Sequence, residues 1–331
     1  MLLILGLAIL KTLNIQKVEL MKQALNIIPF FIVLIFFSCN PSVSLFFTKG
    51  MEEYQKGNLR QAVEEFNQAI IENPSNPEYY FNRGKTYFSL KNYQAAERDF
   101  SMVIKLEDKN TEAFLQRAYC NLELDNIDGA LDDATQSIKL DFKNPSAYFL
   151  RGYLREMEDD LSGALLDYYT VLKYDSLNYR AYVNLGNIKA NIGDNIGAIN
   201  DFTDAIAINP NDENAYLNRG TDKAIVGDFE GAVEDFTEVI RINPANIEAY
   251  YLRGEAKVMA DDFKGAIEDF DILINADPEN SKTYYSRGLA KTYIRDNKGA
   301  CVDFEMAAKL GLPRAFEAIN EHCKKTNKKK K

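Results

Sequence analysis

The side chains best equipped for chemistry in this 331-residue chain are pairs of opposite charge and pairs of carboxylates. Arg83 stands sixteen residues before Asp99, and an arginine held beside a carboxylate can orient a substrate or tune an acid. The adjacent acids Asp159-Asp160 and Asp261-Asp262 have the makings of a general acid and base. Other catalytic groups are scarce. His322, near the C-terminal end, is the only histidine. Ser–His and Cys–His nucleophile pairs and histidine-rich metal sites are therefore excluded from the body of the chain. No glycine-rich phosphate loop and no calcium loop of EF-hand spacing occur.

The elements that position these side chains repeat. Gly50, Gly84, Gly152, Gly186, Gly220, Gly254 and Gly288 lie on one 34-residue ladder, with Ala118 in the missing rung. Twelve residues after each stands an alanine: Ala62, Ala96, Ala130, Ala164, Ala198, Ala232, Ala266 and Ala300. Four residues further come Phe66, Phe100, Ala134, Tyr168, Phe202, Phe236, Phe270 and Phe304. Several units close on Pro74, Pro210, Pro244 or Pro278. Such a fixed period marks a repeat architecture.

The pattern resembles the tetratricopeptide repeat, with a small residue at position 8, alanine at 20, an aromatic at 24 and proline at 32. The resemblance covers residues 43 to about 314. Tyrosine or phenylalanine stands where that family has tryptophan at position 4, as at Tyr80, Phe114, Tyr148, Tyr182, Tyr216, Tyr250 and Tyr284. It implies an all-α fold, a right-handed superhelical solenoid of eight helix–turn–helix repeats over residues 43–312. A capping helix over 313–324 and a basic tail over 325–331 complete it. Each repeat is a helix A and an antiparallel helix B, and stability comes from stacking neighbours.

On that reading the charge pairs change meaning. Arg117–Asp133, Arg151–Asp167, Arg219–Asp235, Arg253–Asp269 and Arg287–Asp303 copy the Arg83–Asp99 spacing, Lys49 and Glu65 repeat its signs, and only Leu185 before Asp201 breaks it. Each pair is equidistant from the A–B turn, so antiparallel helices bring its members together. One such pair reads as a site, and seven copies read as structure. Asp159-Asp160 and Asp261-Asp262 both fall at that turn, where they cap helix B. The expectation is a protein without enzymatic activity, metal or cofactor.

At the other end of the chain, Ile27 to Phe37 is an uncharged apolar run of eleven residues. That is too short for a bilayer-spanning helix and right for the core of a signal peptide. Lys22 supplies its positive flank, so translation can start at Met21, with residues 1–38 removed. The alternative keeps Met1 to Leu10 as a second apolar piece of an uncleaved anchor. The run ends Ile35-Phe36-Phe37-Ser38-Cys39, which resembles the lipobox of bacterial lipoproteins. In that family the cysteine takes a diacylglycerol and becomes the mature N-terminus. The resemblance implies lipidation of Cys39, a linker over 39–42 and a membrane-anchored location at the cell envelope. A plain secretory signal, with Cys39 incidental, is the alternative.

The net charge is −10. With three lysines and one glutamate in residues 1–38 and six lysines among the last eight, residues 39–323 carry −18. So acidic a body repels phosphate backbones, which argues against a nucleic-acid partner. Cys301 and Cys323 lie at nearly equal distances from the Gly311-Leu312 turn, within plausible reach of a disulfide; two buried thiols are the alternative. In the tetratricopeptide family helix A lines a concave groove that often holds an extended peptide. The matching positions here include Phe81, Asn82, Leu115, Tyr119, Phe149, Tyr153, Asn184, Asn187, Asn191, Leu217, Asn218, Tyr251 and Tyr285. An asparagine amide both donates and accepts, so a column of them can hold a peptide backbone without demanding a sequence. The column is broken by Leu150 and Leu252. The reading that follows is a scaffold for a protein or peptide partner. Its competitors are a structural spacer using its ends or convex face, a cytosolic adaptor, and an unrecognised enzyme.

Overall fold

The computed structural model describes residues 44–323, and every regular element in that range is helical. The described residues fall into two compact units, divided between Asn126 and Ile127. The first holds α1 (Leu45–Gln55), α2 (Leu59–Glu72), α3 (Pro77–Ser89), α4 (Tyr93–Leu106) and α5 (Thr111–Glu123). The second holds α6 (Ile127–Leu140), α7 (Pro145–Met157), α8 (Leu161–Tyr174), α9 (Tyr179–Asn191), α10 (Asn195–Ile208) and α11 (Glu213–Ile225). It continues with α12 (Phe229–Ile242), α13 (Ile247–Met259), α14 (Phe263–Ala276), α15 (Ser281–Tyr293), α16 (Asn297–Lys309) and α17 (Pro313–Ala318). Within each unit every helix packs on its neighbours in sequence. The architecture is an all-helical solenoid of tetratricopeptide-like repeats.

Local sequence sets the helix boundaries. Asn76, Asn144, Asn178, Asp212, Asn246 and Asn280 precede A helices, termed inner helices with the B helices as outer ones, and accept a hydrogen bond from a first-turn backbone N–H. Such caps satisfy donors that the helix itself cannot. Between the paired helices one residue turns left-handed. Gly57, Gly193 and Gly227 fill that place at φ 81° to 88°, while Lys91, Asp125, Asp159, Asp261 and Arg295 hold it at φ 58° to 62°. The next residue caps the outgoing helix, as Asp160 does by accepting from the Gly163 N–H at 2.9 Å. Asp262 does the same with Gly265 at 3.0 Å. The adjacent carboxylates are thus a turn residue and a cap.

The core is the glycine and aromatic ladders pressed together. Phe66, Phe100, Tyr168, Phe202, Phe270 and Phe304 are fully buried, each worth about 1.5–3 kcal/mol of apolar burial. A Cβ on Gly186 would lie 2.6 Å from Cε1 of Phe202, so only glycine lets that ring seat against the facing backbone. At the C-terminal end the expected cap helix over 313–324 is helical through the last described residue, Cys323. It is α-helical to Ala318 and widens into a π turn over Ile319–Cys323. The disulfide between Cys301 and Cys323 lies at its end, with the Cα atoms 5.7 Å apart.

Candidate functional site

The charged side chains hold the helices together. Arg83 grips Asp99 at two points, Nη2 to Oδ1 at 2.6 Å and Nε to Oδ2 at 2.8 Å. Arg151–Asp167, Arg219–Asp235, Arg253–Asp269 and Arg287–Asp303 repeat the fork at 2.5–3.0 Å. In Arg83, Arg219, Arg253 and Arg287 the remaining guanidinium nitrogen reaches back to the preceding outer helix, as from Arg83 Nη1 to Asn67 Oδ1 and from Arg287 Nη1 to Asp271 Oδ1, both at 2.6 Å. These four arginines therefore tie their own outer helix to the one before, while Arg151 holds only Asp167 of its own repeat. The position-4 tyrosines support them, with Arg219 and Arg253 stacked 5.5 Å from the ring centres of Tyr216 and Tyr250.

A second cation one helical turn later completes several rungs. Arg155, Lys223, Lys257 and Lys291 meet the same aspartates at 2.7–3.0 Å. In the fifth repeat, where Leu185 is buried in place of the arginine, Lys189 alone meets Asp201 at 2.6 Å. Burial pushes the Asp201 carboxyl above its ordinary range, and Lys189 opposes the shift. Burial does the same to Asp99, opposed by Arg83. The first rung is not closed. Lys49 lies over the Phe46 ring at 5.8 Å, and Glu65 Oε2 is buried without a hydrogen-bond partner.

The helix A candidates divide into supports and exposed groups. Phe81, Phe149, Tyr251 and Tyr285 each pack on the buried aromatic of their own repeat, with ring centres 5.6–6.3 Å apart. Leu115 is buried, Tyr119 and Leu217 are half-buried, and Tyr153 and Asn191 are exposed. Asn82 gives an amide hydrogen to Glu78 O on its own helix at 2.8 Å. Asn184 Nδ2 donates to the Tyr168 hydroxyl at 2.9 Å, and that hydroxyl donates to Glu156 Oε2 at 3.0 Å. Burial, with Glu156 beside it, pushes the Tyr168 phenol up. These amides are thus engaged within the fold.

Asn187 and Asn218 are arranged differently. Asn218 Nδ2 donates to Asn187 Oδ1 at 2.8 Å, joining α9 to α11. Asn187 keeps its NH2 and Asn218 keeps its carbonyl oxygen, on two half-buried side chains. One donor and one acceptor on a fixed pair match what a single peptide unit requires.

The sequence reading passed over Asp222. It is 3% exposed and its Oδ2 has no hydrogen-bond partner. Burial raises its pKa to about 6. The residues at the same place in neighbouring repeats, Leu154, Ile188, Ala256 and Ala290, are buried and apolar, and that contrast was the available signal. Among the described residues no cluster of three or more potential ligands could hold a metal, and no helix is long and apolar enough to cross a membrane. Cys39 and the lysine tail lie outside the described residues.

Comparison with known proteins agrees with the helices. Models of the tetratricopeptide repeat match residues 50–91, 77–110, 179–212 and 217–281. None of the curated proteins matches the chain. Among solved structures, the C-terminal part of a TPR repeat-containing protein from Cytophaga hutchinsonii is 16% identical with a TM-score of 0.61. The match covers 72% of this chain and 98% of that one. A tetratricopeptide repeat protein from Parabacteroides merdae is 19% identical with a TM-score of 0.51, over 75% of this chain and 97% of that one. At these identities the likeness concerns the fold, while the repeat models bear on the sequence itself. The fold is thus that of tetratricopeptide repeat proteins, and the sequence matches the repeat over the stretches named.

Proposed function

We propose that the protein is a non-enzymatic scaffold, held at the bacterial envelope by a lipid on Cys39, that binds an extended segment of a protein partner along the inner helices. The observation that carries this reading is the Asn187–Asn218 pair. Its one donor and one acceptor stand on neighbouring inner helices, fixed by the bond between them. A peptide unit laid across the pair gains two hydrogen bonds, each contributing about 0.5–1.5 kcal/mol. The absence of any demand on side chains suits a scaffold that accepts more than one sequence. The anchor rests on the apolar run and on Ser38-Cys39.

A photo-crosslinking residue at position 191, in the protein expressed in its own membrane, tests the reading. A cross-linked partner should appear and should be lost in the N187A/N218A variant, with thermal stability nearly unchanged. Capture that survives this double substitution rules out the amide pair as the site. The mass of the N-terminal peptide from the same membranes tests the anchor, which predicts a chain beginning at lipid-modified Cys39.

A further inference from the structure

A second surface runs along the turn-side ends of the inner helices in the second unit. Met157, Ile225, Met259 and Tyr293 hold one register of the 34-residue period, with Asn191 in the rung between the first two. Ile192 and Val226 stand one residue further on. All six apolar side chains are 42–63% exposed. The same register in the first unit carries Gln55, Ser89 and Glu123, so neither the fold nor the repeat requires apolar residues there. A single exposed apolar residue needs no explanation, but recurrence in successive repeats marks an interaction surface. The Tyr293 ring lies flat on Phe263 of the preceding repeat, with centres 4.5 Å apart and planes 6° from parallel.

A row of acids borders this strip. Asp194, Asp228 and Asp262 are exposed and commit Oδ1 to capping the next helix at 2.9–3.0 Å. No ion pair reaches any of the three among the described residues, while Arg155 approaches the equivalent Asp160 at 3.6 Å. We infer that this edge docks an amphipathic helix of a partner protein, apolar along one stripe and flanked by lysine or arginine. A helix laid along the edge crosses the ends of successive inner helices and can set its apolar stripe against one rung after another. The bordering aspartates repel an anionic bilayer, which leaves a basic protein segment as the occupant. None of these residues belongs to the Asn187–Asn218 pair, so the two surfaces stand or fall separately.

The test is fluorescence anisotropy of a labelled 28-residue peptide, leucine at heptad positions a and d with lysine beside them, titrated with the full-length chain. Binding should saturate and weaken with salt. The I225E/M259E variant should bind at least about tenfold more weakly, although it adds negative charge. D228N/D262N keeps the caps and should bind about two- to threefold more weakly with a flatter salt dependence. N187A/N218A should bind like the unchanged chain. Circular dichroism identifies variants that retain the fold. Equal binding of a scrambled peptide of the same composition, or undiminished binding by folded I225E/M259E, means that charge alone attracts the peptide and overturns the proposal. Loss of binding in N187A/N218A assigns the peptide to the inner helices and overturns it as well.

Discussion

Lys189 reaches Asp201 at 2.6 Å from the helical turn that follows Leu185, so the fifth repeat keeps its ion pair after losing its arginine. Both charges are largely screened from water, at 17% and 11% side-chain exposure. Removing the lysine strands the carboxylate, which costs about 3–5 kcal/mol for a fully buried pair and less for one partly solvated. K189M should therefore lower stability by about 2 kcal/mol, read from the urea midpoint. L185R/K189M should recover most of that loss, because the arginine fork of the other repeats would meet Asp201 again. No recovery means that the second cation acts only through packing.

Asp222 gives the protein a pH dependence of the same sign as that of the raised Asp99 and Asp201 carboxyls. Its folded pKa of about 6 lies above the ordinary carboxylate value of about 4. Between these values the folded chain holds a proton that the unfolded chain releases. Stability therefore falls as pH rises from about 4 to about 6 and stays lower above that range. D222N should stabilise the protein at pH 7.5, leave it little changed near pH 4, and remove the Asp222 share of this fall from the profile. Thermal midpoints at both pH values for the two proteins measure it. Equal gains at both pH values would assign the effect to packing.

The period carried most of the fold. Alanine and aromatic ladders name the buried face directly, because every repeat votes for the same register. Arginines and aspartates equidistant from a turn must meet when the helices fold back. What recurs is legible, and what departs once is not. Lys189 escaped notice because the compensating charge sits one turn beyond the vacant place. Asp222 escaped because it breaks a column of different apolar residues that no single letter marks. The asparagines illustrate another limit. Asn184 and Asn187 share one helical face in the sequence, yet one is bound to Tyr168 and the other retains a free donor. Which atoms meet depends on the neighbouring helix, and that is absent from the spacing.

The left-handed turn residues offer stabilisation. Lys91, Asp159 and Arg295 hold φ of 58° to 62° where other repeats use glycine. A side chain in that conformation costs about 1–2 kcal/mol, against about 0.5–1 kcal/mol of extra chain entropy that glycine loses on folding. K91G, D159G and R295G should each gain about 0.5 kcal/mol, and the triple variant about 1.5 kcal/mol, since distant sites add. Thermal melts of the single and triple variants measure this. A loss in any of them means that the side chain contributes more than the strain removes.

The C-terminal cap depends on its cross-link. The six-residue α17 is too short to persist alone and fully buries only Ala315 and Ala318. Closing the 22-residue separation between Cys301 and Cys323 stabilises the end by about 3 kcal/mol on the loop-entropy account. Under oxidising conditions C301S/C323S should speed amide exchange across 313–323 and leave exchange in α9 to α12 unchanged. Slow exchange in the double variant would show that the apolar contacts suffice.

The arginine rungs each close a stretch of sixteen residues, and the disulfide closes 22. Contacts so near in chain order let helix pairs form early in synthesis. The first pairs can stack while later ones are still being made, and the cross-link between Cys301 and Cys323 joins the last segment to appear. Assembly of this protein can thus proceed in chain order. It can keep pace with a chain delivered from one end, with no early segment left waiting for a late partner.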